Sequence, residues 1–167
     1  DSLTGLSGND RYVFADDAGV DLVFEAASAG NDTFDFSLVT AGHDLHFALN
    51  GIRIVVTENA NIVTYNDSHV ENLIGGQGED TFDFAAGVVL QGYIDAQGGA
   101  DRLDYNDYLS ALDVRLTGLG IIDGFDGTES SILGGFQNVN AITAGNSLND
   151  KLSGLRDRSE AKTPQNR

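Results

Sequence analysis

One short signal recurs along this chain of 167 residues: a Gly- or Asn-containing approach to an Asp, then a variable residue, then a large apolar one. It occurs as Gly8-Asn9-Asp10-Arg11-Tyr12, Gly30-Asn31-Asp32-Thr33-Phe34, Gly78-Glu79-Asp80-Thr81-Phe82, Gly99-Ala100-Asp101-Arg102-Leu103 and Leu148-Asn149-Asp150-Lys151-Leu152. The anchoring Asp residues are separated by 22, 48, 21 and 49 positions, so the signal repeats with a longer period of about 70. Other segments keep that period: Val70–Ile74 falls against Val139–Thr143, and Leu45–Leu49 against Leu112–Leu116. The chain reads as two copies, about 3–72 and 73–141, and the start of a third at 142–155. Self-similarity at a fixed period marks a repeat architecture, in which each unit buries its apolar face only against its neighbours.

Within each copy, short runs of alternating apolar residues return every 9–12 positions, from Tyr12–Phe14 through Leu112–Leu116. Gly, Asn and Asp divide them, and no window sustains an i, i+3, i+4, i+7 stripe. That pattern predicts an all-β fold. Each long unit divides into about three turns of 21–24 residues; the middle turn lacks its Asp near Glu58, and the second copy offers Asp123-Gly124-Phe125-Asp126-Gly127 instead. Even spacing also suits an antiparallel sandwich, but identical turns at one length favour a parallel β-solenoid (a β-roll or β-helix) with two strands per coil. In that geometry Asp10, Asp32, Asp80, Asp101 and Asp150 stack along one edge, and Phe34, Phe82, Leu103 and Leu152 stack in the core.

The net charge is −17, unevenly placed: residues 1–150 hold four basic residues against 24 acidic ones, whereas 151–167 hold five basic against two acidic. A body this acidic repels nucleic acid and anionic lipid and attracts divalent cations. With no Cys there is no disulfide, zinc-thiolate site or cysteine nucleophile. No apolar run approaches the roughly 18–20 residues of a membrane span, so membrane insertion is not expected. Without an initiator Met or a signal-peptide pattern, the chain reads as a segment of something longer, continued by adjoining repeats. Residues 1–155 form the expected repeat domain. Residues 156–167, with Ala161 as their only apolar residue, read as a basic polar tail, disordered or a short cap.

The fullest copy of the signal is Gly75-Gly76-Gln77-Gly78-Glu79-Asp80-Thr81-Phe82-Asp83. Its glycines permit left-handed backbone and turn carbonyls toward a common point, the Asp adds a charged oxygen there, and alternation from Asp80 begins a strand. A hard cation that takes 6–8 oxygens suits such a turn. The nonapeptide resembles the hemolysin-type (RTX) calcium-binding repeat. The longer unit, Val70 to Phe84 followed by Asp95 to Tyr108, is similar to repeats of very large bacterial surface proteins. The resemblance implies calcium held between equivalent turns by Asp carboxylates and backbone carbonyls. It assigns the Asp role to Asp80 and carbonyl-presenting roles to Gly76 and Gly78. It gives a weaker loop at Asp95–Asp101, with Gly99 and Asp101 kept but Ala96 and Gln97 at glycine positions, and further loops at Asp10, Asp32 and Asp150. It also implies a secreted or cell-surface adhesion spacer that rigidifies on binding calcium.

Without a metal, the same Asp residues would cap backbone N–H groups in tight turns. His43, His46 and His69 are too scattered for a zinc signature. Catalysis is not expected: there is no Lys before Lys151, no Ser-His-Asp arrangement, and repetition dilutes any single site. The alternative is a carbohydrate-binding or polysaccharide-modifying β-helix, its Tyr65, Tyr93, Tyr105 and Tyr108 offering exposed stacking platforms for extracellular glycans.

Overall fold

The computed structural model describes residues 1–25, 30–51, 53–65 and 69–155. The expectation for the 156–167 tail lies outside the described residues. Within them the chain is all-β, with no helix and sixteen strands. These are β1 (Ser2–Thr4), β2 (Arg11–Ala15), β3 (Val20–Phe24), β4 (Thr33–Leu38), β5 (His46–Leu49), β6 (Ile54–Glu58), β7 (Asn61–Tyr65) and β8 (Asn72–Ile74). The second half adds β9 (Thr81–Phe84), β10 (Ile94–Asp95), β11 (Arg102–Asp104), β12 (Asp113–Leu119), β13 (Phe125–Glu129), β14 (Ile132–Val139), β15 (Ala141–Thr143) and β16 (Lys151–Ser153).

The strands form two mixed, open sheets of eight strands. One has the order β1-β3-β7-β6-β5-β9-β11-β15, the other β16-β12-β13-β14-β10-β8-β4-β2. Most neighbours are parallel, but each long copy contributes one antiparallel meander: β5-β6-β7 to the first sheet and β12-β13-β14 to the second. Elsewhere the chain changes sheet after every strand. Period-2 alternation aims one face of each strand inward, as in β2, where Tyr12 and Phe14 are buried between exposed neighbours. The inward faces of the two sheets meet in an aromatic core. Phe36 of one sheet packs edge-on against Phe47 of the other at 5.4 Å, and Phe34 against Tyr65 at 6.0 Å.

The number of sheet changes in each copy settles where the repeated Asp residues go. From β2 to its counterpart β9 the chain changes sheet five times, an odd number, so successive long copies exchange sheets. Asp10 and Asp32 precede β2 and β4 of the second sheet, Asp80 and Asp101 precede β9 and β11 of the first, and Asp150 precedes β16 at the far end of the second. The five therefore do not stack along one edge; they fall on two sheets in three places. The expected core stack is corrected in the same way. Phe34 lies in one sheet while Phe82 and Leu103 lie in the other, and Leu152, on an edge strand, is 70 % exposed.

Step lengths differ from the single expected coil as well. Parallel neighbours 21–22 residues apart (Asp10 with Asp32, Asp80 with Asp101) alternate with neighbours 39 apart (Asp32 with Glu71, Asp101 with Asn140), because a meander occupies the longer step. Glu58, near which the middle turn lacks its Asp, ends the middle strand of the first meander.

Phe82 is fully buried and lies flat on Phe47 at 4.4 Å, where β5 and β9 pair. Phe82→Ala is expected to cost about 3–5 kcal/mol, the usual loss for emptying a large aromatic site. Urea unfolding would show it as a lower midpoint at unchanged slope.

Candidate metal centres at the strand-entry turns

The turns that lead into paired strands share one hydrogen-bond scheme. The Asp10 N–H donates to Asp32 Oδ1 at 2.8 Å, and the Asp80 N–H donates to Asp101 Oδ1 at the same distance. One step further, the Asp32 N–H donates to Glu71 Oε2 at 2.7 Å and the Asp101 N–H to Asn140 Oδ1 at 3.0 Å. Parallel strands leave the first N–H of each strand entry without a ladder partner, and a carboxylate or amide oxygen of the adjoining strand supplies the acceptor. The backbone must come close for this: a side chain at Gly99, where φ is +137°, would collide with the carbonyl of Gly78. In the first copy Gly30 meets the carbonyl of Gly8 in the same way.

The carboxylates differ in what remains after capping. Asp80, 1 % exposed, has both oxygens engaged, Oδ1 by the Leu45 N–H at 2.9 Å and Oδ2 by the Gly76 N–H at 2.6 Å. Asp150 caps the Leu112 N–H at 2.9 Å, the equivalent bond in the other sheet. Gly76 presents its carbonyl to the Gly98 N–H at 3.4 Å, and Gly78 packs against the His43 carbonyl and Asp44. Asp32 and Asp101, by contrast, are buried with one oxygen capping and the other, Oδ2, accepting no hydrogen bond among the described residues.

Three more buried carboxylate oxygens share that condition: Asp10 Oδ2, Glu25 Oε2 and Asp123 Oδ1. They fall into two groups. One carboxylate oxygen from each of Asp10, Glu25 and Asp32 lies within 4.8 Å of the other two. Tyr12 donates its hydroxyl to Glu25 Oε1, and burial against these carboxylates pushes the phenol strongly upward. In the second copy, Asp123 accepts the Gly99 N–H at 3.1 Å and its charge acts on Asp101.

Desolvation raises Asp80 to about 7 against two backbone donors that pull it down. It also raises Asp101 to about 7, and there the charges of Asp80, Asp123 and Glu79 add to the rise. A buried carboxylate oxygen without a donor holds its charge only at high cost, so such a group takes up a proton or meets a cation.

Sequence reasoning brought Asp10 to Asp32 and Asp80 to Asp101 correctly as neighbours but missed Glu25, Glu71 and Tyr12. The available signal was the comparison of the copies. Tyr12 pairs with Phe34 in register as Phe82 pairs with Leu103, and Glu25 follows β3 at the place where Ala96 follows β10. His43 is not a bystander: its Nδ1 lies 2.8 Å from Glu58 Oε1, and that hydrogen bond raises His43 and lowers Glu58.

The exposed tyrosine platforms are corrected. Tyr65 and Tyr105 are fully buried and Tyr108 is 6 % exposed, because they belong to the inward faces; only Tyr93 is partly open. A groove of about 460 Å³ lies instead beside Arg53, His69, Glu71 and Gln91 over an apolar floor that includes Leu49 and Val88. No protein-family model, no curated protein and no solved structure matches the chain.

Proposed function

We propose that this chain is a calcium-binding structural module, a parallel β-solenoid segment of an exported bacterial surface protein of the RTX-like kind, working as an elongated spacer or adhesion element. One observation carries the reading. Every buried side-chain oxygen or nitrogen without a partner among the described residues is a carboxylate oxygen, and all five belong to the two groups at the strand-entry turns. Native proteins pair nearly all such atoms, and an ion is one of the few partners that suits several carboxylates together. Asp10 with Asp32 in one copy and Asp101 with Asp123 in the other would hold the cation. Bound there, calcium supplies positive charge that cancels the mutual repulsion of the acidic turns and links strands far apart in sequence. Where calcium is scarce the turns loosen, and in calcium-rich extracellular fluid they lock.

Thermal unfolding followed by far-UV circular dichroism, in excess EGTA and then in millimolar calcium with magnesium as control, tests the proposal. A site at ten-fold saturation contributes about 1.4 kcal/mol, or roughly 3–6 °C in a domain of this size. Calcium is expected to raise the melting temperature by at least that much, and magnesium by less, because Mg²⁺ sheds its water reluctantly. Identical melts in all three buffers would reduce the Asp turns to backbone caps and overturn the reading.

A further inference from the structure

The two copies place different chemistry at one structural position. In the second copy the position is apolar: Phe82 and Ala96 are both fully buried. In the first copy its equivalents are Tyr12 and Glu25, joined by a hydrogen bond from hydroxyl to carboxylate. Putting a carboxylate where the sister copy has a methyl group is costly on desolvation grounds alone. Here it is placed beside two more acidic residues, Asp10 and Asp32, in a body that already repels itself. Nothing in the backbone scheme calls for it, since Asp32 Oδ1 alone caps the strand entry.

The arrangement around the exchange is a close cluster of carboxylates. Asp32 is 1 % exposed, its Oδ1 is taken by the Asp10 N–H, and its Oδ2 is buried with no donor among the described residues. Tyr12 engages Oε1 of Glu25 and leaves Oε2 buried with no donor among the described residues, as is Asp10 Oδ2. Gly5 lets these side chains close in on the backbone: a Cβ there would sit 2.5 Å from both Asp10 Oδ2 and the Tyr12 hydroxyl, and nearer still to Glu25 Oε1. Oxygens that share one calcium ion at 2.3–2.6 Å can stand at most about 5 Å apart. One oxygen from each of the three carboxylates meets that limit, at 4.8 Å or less.

We propose that Asp10, Glu25 and Asp32 form a distinct calcium site of the first copy, with Glu25 as a ligand held in place by Tyr12. The site rests on the calcium reading above but differs from the Asp-and-glycine turn: its third carboxylate comes from the end of β3, which belongs to the opposite sheet. A cation there clamps the two sheets together at the β2 end, whereas the second copy closes the same position with Phe82 and Ala96.

The double variant Tyr12→Phe/Glu25→Ala gives the first copy the pair that the second already packs, so it is expected to fold in chelator at least as well as the parent chain. Calcium titration by calorimetry and terbium luminescence excited through tyrosine supply the readouts, on the whole chain. The parent chain is expected to sensitise terbium, with calcium quenching the emission by displacement. The double variant is expected to lose one calcium equivalent, or at least about tenfold in affinity for it, together with most of the emission. Glu25→Gln, which keeps the size and the Tyr12 contact, should show the same loss in calorimetry. Asp101→Asn should leave this emission in place. Unchanged calcium binding and emission in the double variant and in Glu25→Gln, with a loss in Asp101→Asn, would overturn the Glu25 site while the calcium reading stands. No calcium binding by the parent chain would overturn both.

Discussion

Asp80→Ala is expected to lower the unfolding free energy by roughly 2–6 kcal/mol, and to do so in excess chelator. The reason is the double capping. The side chain is buried and its two oxygens receive the N–H groups of Leu45 and Gly76. Truncation orphans both donors in the interior, at about 1–3 kcal/mol each. The loss should be larger at pH 5 than at pH 8, because at the higher pH the deletion also removes a carboxylate whose charge burial disfavours. Asp80→Asn keeps one acceptor and is expected to fall between. Chemical denaturation in EGTA and in calcium separates the roles of this residue. A loss of equal size in both buffers makes Asp80 a structural cap, whereas a loss confined to the calcium buffer would make it a ligand and remove the capping account.

The second large effect concerns pH. Asp80 and Asp101 titrate near 7 in the folded chain and near 3.9 when exposed. Between those values the folded state holds protons that the unfolded state has released, so stability falls as pH rises through the window from about 4 to about 7. Two groups displaced this far amount to several kcal/mol, on the order of 10 °C in melting temperature between pH 5 and pH 8 in chelator. The His43–Glu58 contact adds in the same sense from the His43 side, since stability from a raised histidine is lost as pH climbs past its folded pKa. Below about pH 4 the trend should reverse, as Glu58 and Asp35, both held low by hydrogen-bond partners, become protonated. Calcium is expected to flatten the fall above pH 5, because the cation takes the place of the missing protons at Asp101. Melts across pH with and without calcium check this, and Asp101→Asn should remove about half of the fall in chelator, leaving the share of Asp80. A chelator curve already flat from pH 5 to pH 8 would mean that Asp80 and Asp101 are ionised throughout.

Much of the local structure was legible because it is written in short-range chemistry. Alternation around Phe82 and Phe84 or around Tyr12 and Phe14 reports which face of a strand is buried, whatever the strand's neighbours are. The Asp-x-apolar signal likewise located every strand entry it marked, and the spacing of 21–22 residues gave the direct pairs Asp10–Asp32 and Asp80–Asp101. The sites were less legible. Asp80, with the fullest motif, turned out to have both oxygens occupied, while Glu25, outside any motif, has one oxygen without a donor among the described residues. A motif states which residue enters a turn; it does not state how many donors reach that residue.

The sequence by itself determined that this chain is a β-repeat with acidic strand entries, since period, alternation and turn residues act over a few positions. Only the tertiary structure decided which copy faces which sheet. Each long copy contributes seven strands, and with three of them held on one sheet as a meander it makes five sheet changes, an odd number, so the next copy begins on the opposite sheet. That parity sends Asp10 and Asp32 to one sheet and Asp80 and Asp101 to the other. It is a property of how whole strands pair, and no window of neighbouring residues contains it.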